Sequence, residues 1–94
     1  MKLIKLVVSS KPDKKYDAYL DVNGKERKVS FGAKGMSDYT QHHDDERKER
    51  YIKRHRANED WSDPLTAGFW SKHYLWNLKT KEESLKYIKH HYHL

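Results

Sequence analysis

The sequence predicts an α+β domain: a three-stranded antiparallel β-meander followed by about three helices packed on one face of the sheet. Three observations predict it. Leu3 to Val8 is rich in β-forming residues, and apolar and polar side chains alternate with a period of two from Tyr16 to Val22. Asn23-Gly24 follows that run, and both residues tolerate the positive φ of a tight hairpin. From Asp44 onward the apolar spacing lengthens to that of helices, and each helical stretch opens on capping chemistry. A sheet with one greasy face needs a cover, and the rest of the chain must supply it.

The first strand is Leu3 to Val8, rich in Ile, Leu and Val. Its start resembles a secretion signal at a glance, but the apolar run is short and broken by Lys5. Lys11-Pro12-Asp13-Lys14 is turn chemistry, because proline presets φ and aspartate caps turns. Tyr16, Ala18, Leu20 and Val22 share one face of the second strand. After Asn23-Gly24 the chain returns from Lys25 to Phe31, with Val29 and Phe31 on one face. Gly32 to His43 reads as a loop, since glycines and small polar residues interrupt any period.

The first helix starts at Asp44 or Asp45 and runs to about Asn58. Asp44, Asp45 and Glu46 suit the positive end of the helix dipole, and Arg54 and Arg56 suit the other end. A second helix starts at Asp63-Pro64, with aspartate as N-cap and proline at the first helical position. Its Leu65, Phe69, Trp70, Tyr74, Leu75 and Trp76 are apolar nearly all round, which implies burial on several sides. A third helix starts at Thr80, where Thr80 and Glu83 form a capping box and Leu85, Ile88 and Tyr92 line one face. The whole is one domain over 1–94, with the meander in 1–32 and the helical part in 44–92.

Leu, Ile, Val and Phe are sparse, but three Trp and seven Tyr offer large surfaces to bury. The core is therefore aromatic. No cysteine is present, which excludes disulfide staples, thiolate catalysis and cysteine-ligated zinc. No segment is long enough to cross a bilayer, and no membrane partner is expected.

Twenty Lys and Arg against 14 Asp and Glu give +6, a balance that favours anionic partners. Its placement points to two basic surfaces. At about 100° per residue, Arg47, Arg50, Lys53 and Arg54 fall on one face of the first helix, with Tyr51, Ile52 and His55 roughly opposite. Arginine binds phosphate bidentately, so such a face can track a nucleic-acid backbone. The competing use is a solvated face with internal ion pairs, for which Glu46–Arg50 and Glu49–Lys53 have the right spacing. The meander carries Lys11, Lys14 and Lys15 at its first turn and Lys25, Arg27 and Lys28 after the hairpin. Lysines on edge strands also block aggregation.

Other constellations are weaker. Seven histidines include His42-His43 and the terminal His90, His91 and His93, but adjacent histidines on a helix point to different faces. No metal and no cofactor is expected. A metal-dependent nuclease could in principle use His42, His43, Asp44 and Asp45, although those acids have a simpler duty as N-terminal charges of a helix. The acyl-transfer, P-loop and dinucleotide motifs are absent, so the sequence reads as a non-enzyme. Trp61, Phe69, Trp70, Tyr74 and Trp76 could stack on bases, yet at helical spacing they read as core. Any exposed remainder would mark a protein interface.

These same residues carry a resemblance. Phe31-Gly32 ends a strand pair, and Asp38-Tyr39-Thr40 with His42 follows. Then come Arg47, Arg50, Tyr51, Arg54 and His55 on a helix, Trp61, Asp63, Pro64 and Thr66-Ala67-Gly68, and finally Leu75-Trp76 and Ser84-Leu85. In this order they resemble a family of short, uncharacterised proteins encoded by giant and other large DNA viruses, over roughly residues 16–90. The resemblance implies a viral protein, located in the virion or in the host cell interior, in the cytoplasm or a viral factory. It implies no activity.

The functional expectation is a small basic accessory protein that binds nucleic acid, DNA or RNA, non-specifically, as in viral genome packaging. Lys11, Lys14, Lys15, Arg47, Arg50, Lys53 and Arg54 would contact phosphate. The alternative is a virion structural module that contacts other virion proteins through its aromatic helices, and the third reading is the nuclease.

Overall fold

The computed structural model describes residues 1–94 and has the expected α+β architecture. Strands β1 (Lys2–Val8), β2 (Lys14–Val22) and β3 (Lys25–Ala33) form one antiparallel sheet in the order β1-β2-β3. Asn23 and Gly24 have φ of 54° and 83°, and Val22 pairs with Lys25 across them. The two-residue hairpin thus follows from the one dipeptide whose backbone accepts that twist. The register of β1 on β2 shifts between Leu3 and Lys5, a bulge at Ile4.

Four helices follow, one more than the sequence predicts. Helix α1 (Tyr39–His42) lies inside the stretch expected to be a loop. Asp38 and Gln41 form a reciprocal capping box there: the Asp38 side chain accepts from Thr40 N at 3.0 Å and Gln41 Oε1 accepts from Asp38 N at 3.0 Å. Helix α2 (Asp45–Arg56) begins at Asp44, whose side chain accepts from the amides of Glu46 and Arg47.

The second expected helix starts three residues late. Thr66, not Asp63, is its N-cap, and α3 spans Ala67–Trp70. Asp63 caps a turn instead, accepting from Leu65 N at 3.0 Å. The Pro64 carbonyl is taken by Trp70 Nε1 at 2.7 Å, so it does not serve a helix beginning at Pro64. Helix α3 runs on into a π-turn, Ser71–Leu75, in which His73, Tyr74 and Leu75 are all buried. Helix α4 (Lys81–Tyr92) carries the Thr80–Glu83 capping box, with Thr80 Oγ1 donating to Glu83 Oε1 at 2.9 Å and accepting from Glu83 N at 3.2 Å.

One core joins the two parts. Ala18, Leu20, Val29 and Phe31 from the sheet meet Phe69, Trp70, Tyr74, Leu75 and Ile88 from the helices. As its composition predicts, this core is aromatic: Phe31 lies 6.0 Å from Trp70 and from Tyr74, centroid to centroid. On the opposite side of β2, Asp17 is buried and accepts from Ser9 Oγ at 2.7 Å and Ser30 Oγ at 2.6 Å. Burial works to raise its pKa, and the bonds from Ser30, Ser9 and the Ser10 amide outweigh it, leaving the carboxyl below its ordinary range.

Candidate nucleic-acid interface

The end of β1, the start of β2, the loop after β3 and the start of α4 line a cleft of about 460 Å³. Lys14, Lys15, Lys34 and Lys81 line it, and Asp38 is its one acid. Strand β2 delivers Lys14 and Lys15, and the turn through Gly35 (φ 92°) presents Lys34. Lys81 is the first residue of α4. That acid is already neutralised, because Lys15 Nζ stands 2.6 Å from Asp38 Oδ2. Lys81 Nζ sits 5.2 Å from the centre of the Tyr16 ring, and the neighbouring Tyr16 hydroxyl leads the causes that raise its pKa. Lys14, Lys34 and Lys81 take part in no ion pair.

A second cavity of about 340 Å³ adjoins the first and shares Lys14, Lys15, Met36, Ser37 and Asp38 with it. Its walls are more apolar, with Phe31, Leu75, Tyr51 and Trp76, and Arg54, His55 and Glu59 also reach it.

The seven lysines and arginines expected to contact phosphate do not form one surface. Lys14 and Lys15 line both cavities, and exposed Lys11 lies in the turn just before them. Arg47 donates to Ser37 Oγ at 3.0 Å, on the shared wall, and Arg54 lines the second cavity. Arg50 and Lys53 are exposed on the outer side of α2 and line neither. Of the two helix ion pairs expected, Glu46–Arg50 is present at 3.9 Å between exposed groups, and Glu49–Lys53 does not form.

Lys34 and Lys81 were not legible as site residues. The first sits in a glycine-flanked loop and the second in a capped helix start, 47 positions apart in sequence, and only packing brings them together. A further cationic group lies on the other flank of α2. Burial, then repulsion from Lys48 and Arg56, lowers the Lys72 pKa, and its ammonium rests 5.5 Å over the Trp61 ring.

The four residues considered for a nuclease have structural duties. Asp44 caps α2, Asp45 accepts from Tyr39 Oη at 2.6 Å, and His42 Nδ1 accepts from Asp44 N at 2.9 Å. His43 adopts the left-handed conformation that ends α1. No group of three or more His, Asp or Glu side chains is placed to hold a metal ion. No helix is long and apolar enough to cross a membrane.

Fold and surface together define a small basic α+β domain with a lysine-lined cleft at one end of its sheet. Residues 4–55, more than half of the chain, match a family of unknown function, DUF5754, and the chain belongs to that family. The match spans β1 to α2 and so includes Lys14, Lys15, Lys34 and Asp38, but not Lys81. No curated protein and no solved structure matches the chain.

Proposed function

We propose that this protein is a non-enzymatic accessory module that binds the backbone of nucleic acid without sequence specificity. The observation that carries the reading is the cleft where Lys14, Lys34 and Lys81 converge around an acid already paired to Lys15. Ammonium groups outside any ion pair are open to a phosphodiester, and counterion release favours its binding. Arg47 and Arg54 extend the basic surface from the cleft onto α2. The setting in viral genome packaging rests on the resemblance over residues 16–90 alone.

Fluorescence anisotropy with a mixed-sequence duplex, at two salt concentrations, tests it. The logarithm of affinity should fall with the logarithm of salt by about 0.9 for each phosphate contacted. Lys34→Ala and Lys81→Ala should each weaken binding whatever the sequence and lower the slope by about one. The same titration is run with a single strand, and binding of both forms that is absent at low salt, or insensitive to salt, overturns the reading.

A second reading, contact with another protein, is favoured by a different surface from the one expected. Phe69, Trp70 and Tyr74 are core residues, whereas Ile4, Val7 and Val8 are exposed on edge strand β1. Open strand edges pair readily with other chains. Self-association in light scattering that Val8→Lys abolishes would favour this role.

A further inference from the structure

Tyr51 stacks on Trp76 with ring centroids 4.4 Å apart and planes 3° from parallel, and His55 stacks on its other side at 4.3 Å and 28°. Both faces of Tyr51 are thereby covered, and the stack ends on His55. The His55 side chain is 40% exposed, and Glu59 Oε1 lies 3.0 Å from its Nδ1 but without the geometry of a hydrogen bond. Gly68 lets Glu59 lie close over the start of α3, where a Cβ would fall 2.8 Å from Glu59 Oε2. The histidine is thus a flat ring lining the second cavity, with one face backed by Tyr51.

That cavity, at about 340 Å³, lies in the size range of small-ligand pockets. Its floor is apolar at Phe31 and Leu75, while Arg54 offers donors and Glu59 an acceptor at its edge. It shares a wall with the lysine cleft through Lys14 and Ser37. A flat ring with donors and acceptors on its rim, joined to a phosphate, matches both cavities at once.

We infer that the paired cavities take one nucleotide unit of a single strand, its phosphate in the lysine cleft and its unpaired base against His55 in the aromatic pocket. The inference rests on the reading of the lysine cleft as a phosphate site and adds the form of the nucleic acid. Bases in a duplex are stacked and paired and cannot enter, so the protein should prefer single strands. Stacking tolerates any base, because every base has a π-face, so the preference carries little sequence specificity.

The test compares four probes at one salt concentration: a short oligothymidylate, an abasic strand of the same length, a duplex, and thymidine monophosphate. The base-bearing strand should bind about ten-fold more tightly than the abasic strand, a factor typical of one stacked base. His55→Ala should erase that difference and leave the abasic affinity unchanged. This side chain is partly buried against Tyr51, and the comparison between strands, which needs no variant at all, keeps the test independent of its folding role. Monophosphate binding as tight as the strand's would support the pocket and make a free nucleotide its source of base and phosphate. Equal affinity for base-bearing and abasic strands overturns the base pocket while leaving phosphate binding intact. No binding to any probe, duplex included, overturns both readings.

Discussion

Lys15 and Asp38, 23 positions apart, meet with Nζ and Oδ2 separated by 2.6 Å. The contact ties strand β2 to the cap of α1 and forms the wall between the two cavities. Asp38 is only 2% exposed and also receives the Thr40 amide. Gln41 Oε1 accepts from the same ammonium at 3.2 Å. One carboxylate therefore neutralises a lysine, caps a helix and positions the loop that carries Lys34.

Removal of that carboxylate should be costly. Asp38→Ala leaves Lys15 largely buried without its counter-charge and α1 without its cap, at about 3 kcal/mol. For a domain of this size the midpoint of thermal unfolding should fall by roughly 10 °C or more. Lys15→Ala leaves Asp38 its amide and hydroxyl donors and should cost less. Circular dichroism melts of the two variants check the order, and a milder Asp38 variant would refute the assignment.

His73 sets an acid limit on stability. Its Nε2 lies 2.8 Å from the Trp61 carbonyl, so the proton sits there, and Tyr92 Oη is 3.1 Å away. Nδ1 is buried without a partner, so a second proton would have no acceptor. Burial leads the causes that push its pKa down to about 4 from 6.5. Folding favours the neutral ring, so this contribution is complete above pH 6.5 and is lost as pH falls toward 4. The loss reaches roughly 3 kcal/mol when the shift is converted. Denaturant unfolding across that window should show the decline, and His73→Leu should flatten it.

Two glycines with similar φ should respond differently to alanine. At Gly24 (φ 83°) nothing lies within 4 Å of an added Cβ, so Gly24→Ala carries only the left-handed backbone penalty, about 1 kcal/mol. At Gly32 (φ 80°) the Cβ would fall 2.9 Å from Leu75 Cδ1 and 3.0 Å from Lys15 Cβ. Overpacking adds about 1–3 kcal/mol there. Equal losses in a urea titration would contradict the close approach of β3 to the π-turn.

Thr80 closes the capping box that starts α4. Thr80→Ala should cost about 1 kcal/mol, read as a lower urea midpoint at unchanged slope. Because α4 brings Ile88 into the core, the loss should appear in global unfolding and not only as fraying of one helix.

Much of the fold was legible because its signals are local. The alternation through Tyr16, Ala18 and Leu20 marks β2, and the caps at Asp44 and Thr80 mark α2 and α4. Helix α1 escaped notice because four residues give no apolar period, although Asp38 and Gln41 carry the spacing of a capping box. The start of α3 was misplaced because Asp63-Pro64 and Thr66 both suit a helix start. The choice fell to Trp70, whose indole takes the Pro64 carbonyl once the ring is buried.

The sequence by itself determined the strands, the hairpin turn, the capped helix starts and the basic balance, since each depends on residues within a few positions of one another. Tertiary structure alone decided which cations share a site. Lys34 and Lys81 join Lys14 around the cleft, while Arg50 and Lys53, equally basic in sequence, face away from it. Likewise it paired Lys15 with Asp38 and laid His55 and Trp76 on either face of Tyr51. The physical reason is that these contacts join elements distant in sequence, and burial of the common aromatic core sets their positions, which no local pattern encodes.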